Sequence, residues 1–277
     1  MKQTFVTTNN LQIACYIANP GQVNTIFFIH GNSSSSRVWR KQIESPSLAD
    51  YRLITIDLPS HGNSDALPAD ADSSLPAIAT IMAEAVKQLV NDKPFIICGS
   101  SLGTNIVAEM LTDNFSLNGL LMAGPCIVGE GFELDKMILP GANVTPVFAE
   151  NVPAELVNKY AGETSISTDT KDRQIFLEDY HAVKDPFRSA LYATIAAGIY
   201  SDEIAILQKN NCPICIIFGK DERVVNNYYL DEAPINVWNK IIYKIPQASH
   251  LVNIDAPEAF NELLVQFAKE IFTTGAA

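Results

Sequence analysis

Ile96-Ile97-Cys98-Gly99-Ser100-Ser101-Leu102-Gly103-Thr104 is an apolar run that breaks at a Gly-x-Ser-x-Gly pattern and passes at once into Asn105-Ile106-Val107-Ala108-Glu109-Met110-Leu111. The pattern predicts a strand, a sharp turn and a helix. A serine at such a turn takes a strained backbone conformation that only small neighbours allow, so Gly99 and Gly103 read as clearance for Ser101. The helix that starts there points unpaired N–H groups and the positive end of its dipole at the Ser101 hydroxyl, which suits a developing oxyanion. Taken alone, the five residues are equally a glycine-rich turn with an incidental serine, so the partners of a nucleophile have to be found elsewhere in the chain.

On either side, short apolar segments alternate with helical patterns. Thr4 to Thr8, Leu11 to Ile17, Thr25 to Ile29 and Arg52 to Asp57 read as strands, and Leu75 to Asn91 as a helix. The third strand ends in His30-Gly31-Asn32 and a serine run, Ser33 to Ser36, and the fourth in Leu58-Pro59-Ser60-His61-Gly62-Asn63-Ser64-Asp65. Such alternation requires crossover connections, hence an α/β fold with a mostly parallel sheet that binds ligands at the carboxyl ends of its strands. After the strand from Leu117 to Gly124 the rhythm changes for about 80 residues, far longer than an ordinary connection. Residues 125–200 contain helix-like pieces (Glu133 to Ile138, Pro153 to Tyr160 and a long stretch from Asp172 to Ile199) and read as a helical cap inserted into a core of residues 1–124 and 201–277. Cap residues Ile127, Phe132, Met137, Phe148, Phe176 and Leu177 pack cap on core or, for a few, line an apolar pocket. Cys212 to Gly219 and Trp238 to Ile245 return to strand, and Pro257 to Phe272 is an amphipathic helix with Asp255 and Glu258 placed for a capping box.

Composition narrows the function. At 277 residues and 47% hydrophobic content the chain buries a large core, and a net charge of −12 disfavours nucleic acid and anionic membranes as partners. No run approaches ~18 apolar residues, and the start of the chain lacks a signal-peptide pattern, so a cytoplasmic location is expected. Five scattered cysteines fit a reducing compartment. Cys212 and Cys215 imitate a redox pair, but on a strand they face opposite sides and read as core thiols. No His-x-His or His-Glu-x-x-His spacing suggests a metal, and no cofactor is implied.

His-Gly-Asn after the third strand, Asp-Leu-Pro-Ser-His-Gly-Asn-Ser after the fourth and Gly-Ser-Ser-Leu-Gly at the turn, in this order, resemble the α/β-hydrolase superfamily. The resemblance implies an oxyanion hole from the N–H groups of Leu102 and Asn32, and a triad in the order serine, acid, histidine. Ser101 needs a base, and the base needs an acid to orient it. His30, His61 and His181 read as structural. His250, in Ala-Ser-His-Leu-Val-Asn-Ile-Asp-Ala-Pro-Glu, is similar to the family's catalytic-histidine segment. For the acid, Gly219-Lys220-Asp221-Glu222-Arg223-Val224-Val225 offers two carboxylates; the family's usual spacing favours Glu222, with Asp221 as the alternative or as a turn residue. A closer likeness, carried by His-Gly-Asn-Ser-Ser-Ser, Val128-Gly129-Glu130-Gly131-Phe132, Tyr160-Ala161 and Gly-Lys-Asp-Glu, is to the N-acyl-homoserine lactone lactonases of this fold. It implies a small neutral amphipathic ester or lactone held under the cap, with Tyr160, Phe132 and Ile127 as substrate contacts. A general carboxylesterase, a carbon–carbon bond hydrolase and a ligand receptor that retains the triad are the alternatives.

Overall fold

Eight segments rich in β-branched and aromatic residues form one sheet: β1 (Lys2–Thr8), β2 (Leu11–Ala18), β3 (Thr25–Ile29), β4 (Arg52–Ile56), β5 (Phe95–Ser100), β6 (Gly119–Ala123), β7 (Ile214–Gly219) and β8 (Val237–Ile245). The structure, a computed structural model, describes residues 1–90, 93–113 and 115–274. The strand order is β1-β2-β4-β3-β5-β6-β7-β8. β2 runs antiparallel to β1 and to β4, and every other pairing is parallel. β3, β5, β6 and β7 are buried along their whole length, as strands covered on both faces must be. Helices Leu75–Val90, Leu102–Met110 and Pro257–Thr274 supply the crossovers and cover; the expected helix end at Asn91 lies outside the described residues. Among the described residues no helix is long and apolar enough to cross a membrane.

Between β6 and β7 the chain forms a helical layer that includes Ala154–Thr164, Thr170–Ala182 and Phe187–Ala196, and then the helix Glu203–Lys209, which packs on Leu102–Met110. The long stretch expected from Asp172 to Ile199 is two helices. Pro186 has no N–H to give and restricts the residue before it, so the first helix ends at Ala182 and the second begins at Phe187.

Two other expectations change. Cys212 precedes β7 and is half-buried, so only Cys215 of that pair is a core thiol. Asp255 does not cap the last helix. Its carboxylate accepts from Ser249 N at 2.8 Å, Ser165 Oγ at 2.5 Å, and the Ile166 and Ser167 N–H groups at 3.1 Å each. Pro257 at the start of the helix has no N–H in need of a cap, which leaves that carboxylate free for the neighbouring loops.

The layout sets the end of β3 beside the end of β5, with Ile29 opposite Gly99. A methyl group on Gly103 would lie 2.4 Å from the Ile29 carbonyl oxygen and 2.8 Å from that of His30, and one on Gly99 would lie 2.9 Å from the Gly103 oxygen. These glycines therefore admit the helix Leu102–Met110 against the strands, while the residue that makes room for Ser101 itself is Gly31, whose added methyl would lie 2.8 Å from Ser101 Cβ. Gly103→Ala is expected to cost about 1–3 kcal/mol by displacing backbone, read as a lower urea midpoint. An unchanged midpoint would mean the helix does not press on β3.

Candidate active site

Ser101 sits between β5 and its helix at φ 51°, ψ −124°, a conformation that costs a non-glycine residue about 1–3 kcal/mol and persists only where the surroundings impose it. Here they do: Ser101 N–H is tied to the Ala123 carbonyl at 3.1 Å, and its own carbonyl accepts from Thr104 N at 2.8 Å and Thr104 Oγ1 at 2.6 Å. Among the described residues the N–H groups of Leu102 and Asn32 have no intramolecular acceptor, and both residues line the same cavity as Ser101.

His250 lies in the loop after β8 and is buried. Its Nδ1 donates to Glu222 Oε1 at 2.7 Å, which leaves Nε2 as the basic atom of the neutral ring. Glu222 Oε1 also accepts from Val225 N at 2.9 Å, and the carboxylate is as buried as the ring. Asp221 is exposed and accepts instead from Gln247 N at 2.8 Å, closing the turn that carries Glu222. Of the two adjacent carboxylates, then, Glu222 meets the histidine. Burial alone would make the His250 ring shed its proton, but the Glu222 carboxylate overrides this, with help from Cys126, and holds the pKa above its ordinary range.

The other histidines behave differently. His30 Nε2 accepts from Leu58 N at 3.0 Å and His61 Nε2 from Ser33 N at 3.1 Å, which fixes each as a neutral ring whose Nδ1 donates to a carbonyl, that of Gly31 and that of Pro59. Burial lowers the pKa of both. Both serve the loop after β3, and His181 lies on the exposed side of the helix Thr170–Ala182.

The cavity above Ser101 is walled mainly by apolar side chains, among them Val128, Met137, Ile138, Val147, Phe148 and Ile195. Among the described residues no lysine or arginine lines it. Tyr160 does line it; its ring packs on Phe176, and among the described residues its hydroxyl has no hydrogen-bond partner. Burial raises its pKa, so the phenol stays protonated and able to donate. Ile127 and Phe132, expected as substrate contacts, lie outside the lining. Ile127 is fully buried in the core, its carbonyl accepting from Tyr229 Oη at 3.1 Å, and Phe132 packs at the core margin where it bridges to Gly129.

Two lining residues carry no sequence motif. Cys126 Sγ lies 3.6 Å from Ser101 Oγ and donates to the Gly124 carbonyl at 3.7 Å. Among the described residues the hydrogen bond of the Ser101 hydroxyl is with the thiol and not with the ring. Asn105 donates to the Cys126 carbonyl at 2.7 Å and to Glu203 Oε2 at 2.8 Å, fixing the loop that carries the thiol. Burial raises the pKa of Glu203 well above the carboxylate range.

A family model described as the alpha/beta hydrolase family matches residues 26–263. Among curated proteins the chain is 25% identical over 272 residues to a haloalkane dehalogenase of Psychrobacter cryohalolentis, covering 90% of this chain and 84% of that protein. It is 23% identical over 247 residues to an (E)-2-((N-methylformamido)methylene)succinate hydrolase of Acinetobacter baylyi, covering 88% and 90%. Among solved structures it superposes on the N-acyl homoserine lactonase AidH, complexed with N-butanoyl homoserine, with a TM-score of 0.89 at 24% identity over 98% of this chain and 97% of that one. With the family model spanning most of the chain and the sheet, turn and helix order described above, the protein belongs to the alpha/beta hydrolase family.

Proposed function

We propose that the chain is a serine hydrolase acting on a neutral carboxylic ester or lactone, with N-acyl-homoserine lactones as the substrates its cavity suits best. The observation that carries the reading is the buried 2.7 Å pair of His250 Nδ1 and Glu222 Oε1 on the cavity that Ser101 faces. Ser101 Oγ attacks the carbonyl carbon while His250 Nε2 takes its proton, and Glu222 stabilises the imidazolium. The N–H groups of Asn32 and Leu102 hold the oxyanion. His250 then protonates the departing alkoxide, and water, activated by the same ring, releases the acyl group from Ser101. The serine separates this chain from members of the fold that use an aspartate nucleophile, since only the hydroxyl forms the acyl ester. Residues 125–200 act as the cap that closes the site.

The substrate class follows from the walls. A cavity lined, among the described residues, mainly by apolar side chains and by no lysine or arginine favours an apolar tail over a dicarboxylate. The Tyr160 hydroxyl, without a hydrogen-bond partner among the described residues, supplies one donor for a polar head, as a lactone or an acyl amide requires.

Ser101→Ala is expected to abolish ester hydrolysis and labelling by a fluorophosphonate probe while leaving the thermal midpoint near wild type; turnover close to wild type would remove Ser101 from the mechanism. Because Glu222 holds the His250 pKa up, kcat/KM should rise with pH with a midpoint above the ordinary histidine value of about 6.5. In Glu222→Gln the midpoint should move to lower pH, since the imidazolium loses its counter-charge, and kcat should fall about 10³- to 10⁴-fold. Asp221→Asn should shift neither. The opposite ranking would transfer the acid role to Asp221. For substrate, pH-detected hydrolysis of medium-chain N-acyl-homoserine lactones is expected, with Tyr160→Phe losing about tenfold in rate on the lactone and much less on a small aryl ester. Brisk aryl-ester turnover with none on the lactone would leave a carboxylesterase, and stoichiometric binding without turnover would leave a receptor.

A further inference from the structure

The loop after β3 is fastened to the helical layer above it through a line of side chains. Asn32 Nδ2 donates to the Val147 carbonyl at 2.6 Å, and Asn32 Oδ1 accepts from the Ser33 hydroxyl at 3.1 Å. Ser33 Oγ in turn accepts from Arg188 Nε at 2.8 Å. Ser33 is held at φ 59° with its N–H on His61, and the residue is fully buried. Arg188 is only 5% exposed and anchored: it donates to the Tyr180 carbonyl, faces Glu150 at 3.5 Å and lies over the Tyr180 ring at 4.1 Å. Val147 and Asn32 both line the apolar cavity.

The line from Arg188 through Ser33 and Asn32 to Val147 therefore joins the wall on which an apolar tail would rest to the residue whose N–H would meet the oxyanion. Resting on the serine-hydrolase reading, we propose that Ser33 and Arg188 are positioning residues that hold Asn32 in register with the cavity wall, so that filling the cavity with an acyl tail sets the Asn32 N–H for the transition state. Binding energy from the remote tail is then expressed in kcat and not only in KM. The sensitivity is large because donors to an oxyanion act over a narrow range of geometry, and a misplacement of roughly 1 Å costs on the order of 10²-fold.

The test is steady-state kinetics on p-nitrophenyl acetate and p-nitrophenyl octanoate. Wild type is expected to show a kcat at least about tenfold higher on the octanoate. In Ser33→Ala, which cuts the line and leaves the Asn32 N–H in place, the kcat ratio should fall toward one while the KM ratio persists. Asn32→Ala also keeps the backbone N–H and severs the bond to Val147, and it should show the same loss, which keeps the test open if Ser33→Ala does not fold. Arg188→Lys, with an ammonium still able to reach Ser33, should return part of the ratio that Arg188→Met loses. A purely structural role would lower the melting temperature and both kcat values together. An unchanged kcat ratio in the variants, or a wild type with no chain-length effect in kcat, overturns the tether alone. A wild type that hydrolyses neither ester overturns the hydrolase reading and the tether with it.

Discussion

The close approach of β3 and β5 at their carboxyl ends is the constraint from which the site follows. With Ile29 paired to Gly99, the chain leaving β3 and the chain leaving β5 have to pass each other within a distance that one added methyl group would already violate. Gly31 lies against Ser101, and Gly103 lets the first helical turn rest on the carbonyls that end β3. Ser101 is left with positive φ because the turn has no room to relax, and the same crowding brings Asn32 to the cavity that Ser101 and Leu102 also line. Strain at the serine and the meeting of the two loops at one cavity are thus two results of one packing requirement.

Histidine shows how position assigns chemistry to a residue type. Three of the four are buried. His30 and His61 lie with ring centroids 5.2 Å apart, each neutral and each accepting a backbone N–H, so they act as rigid spacers under the loop that carries Asn32. His250 has a carboxylate on Nδ1 and is the buried ring whose proton affinity is raised. Titration is directed to the ring beside Ser101, and the loops that shape the site keep their protonation state as pH changes.

Much of this was legible in the sequence because the pieces are local. A buried parallel strand announces itself as an unbroken apolar run, and the serine turn, the His250 loop and the two-carboxylate turn each fit within a few residues. The choice between Asp221 and Glu222 was not local. It depends on which carboxylate the turn after β7 aims inward, and Asp221 is claimed by Gln247 from the far side of β8. Cys126 and Ile127 are adjacent in a stretch without periodicity, yet one lines the cavity and the other is sealed in the core. No pattern in the chain tells them apart. Asp255 had the spacing of a helix cap, but four donors from two other loops outbid the helix, and helix-capping rules are blind to such competitors.

The bonds around Asp255 also say where this molecule can open. Ser249 and Leu251 flank His250, and both are sewn to the end of the helix Ala154–Thr164: Ser249 Oγ donates to the Glu163 carbonyl at 2.6 Å and Leu251 N to that of Thr164 at 2.8 Å. Asp255 adds the Ser165–Ser167 turn to the same knot. A hinge along this border would drag the imidazole out of line with the serine each time a molecule entered or left. This side of the covering layer is therefore a fixed jamb, and whatever opens the chamber has to leave this border in place.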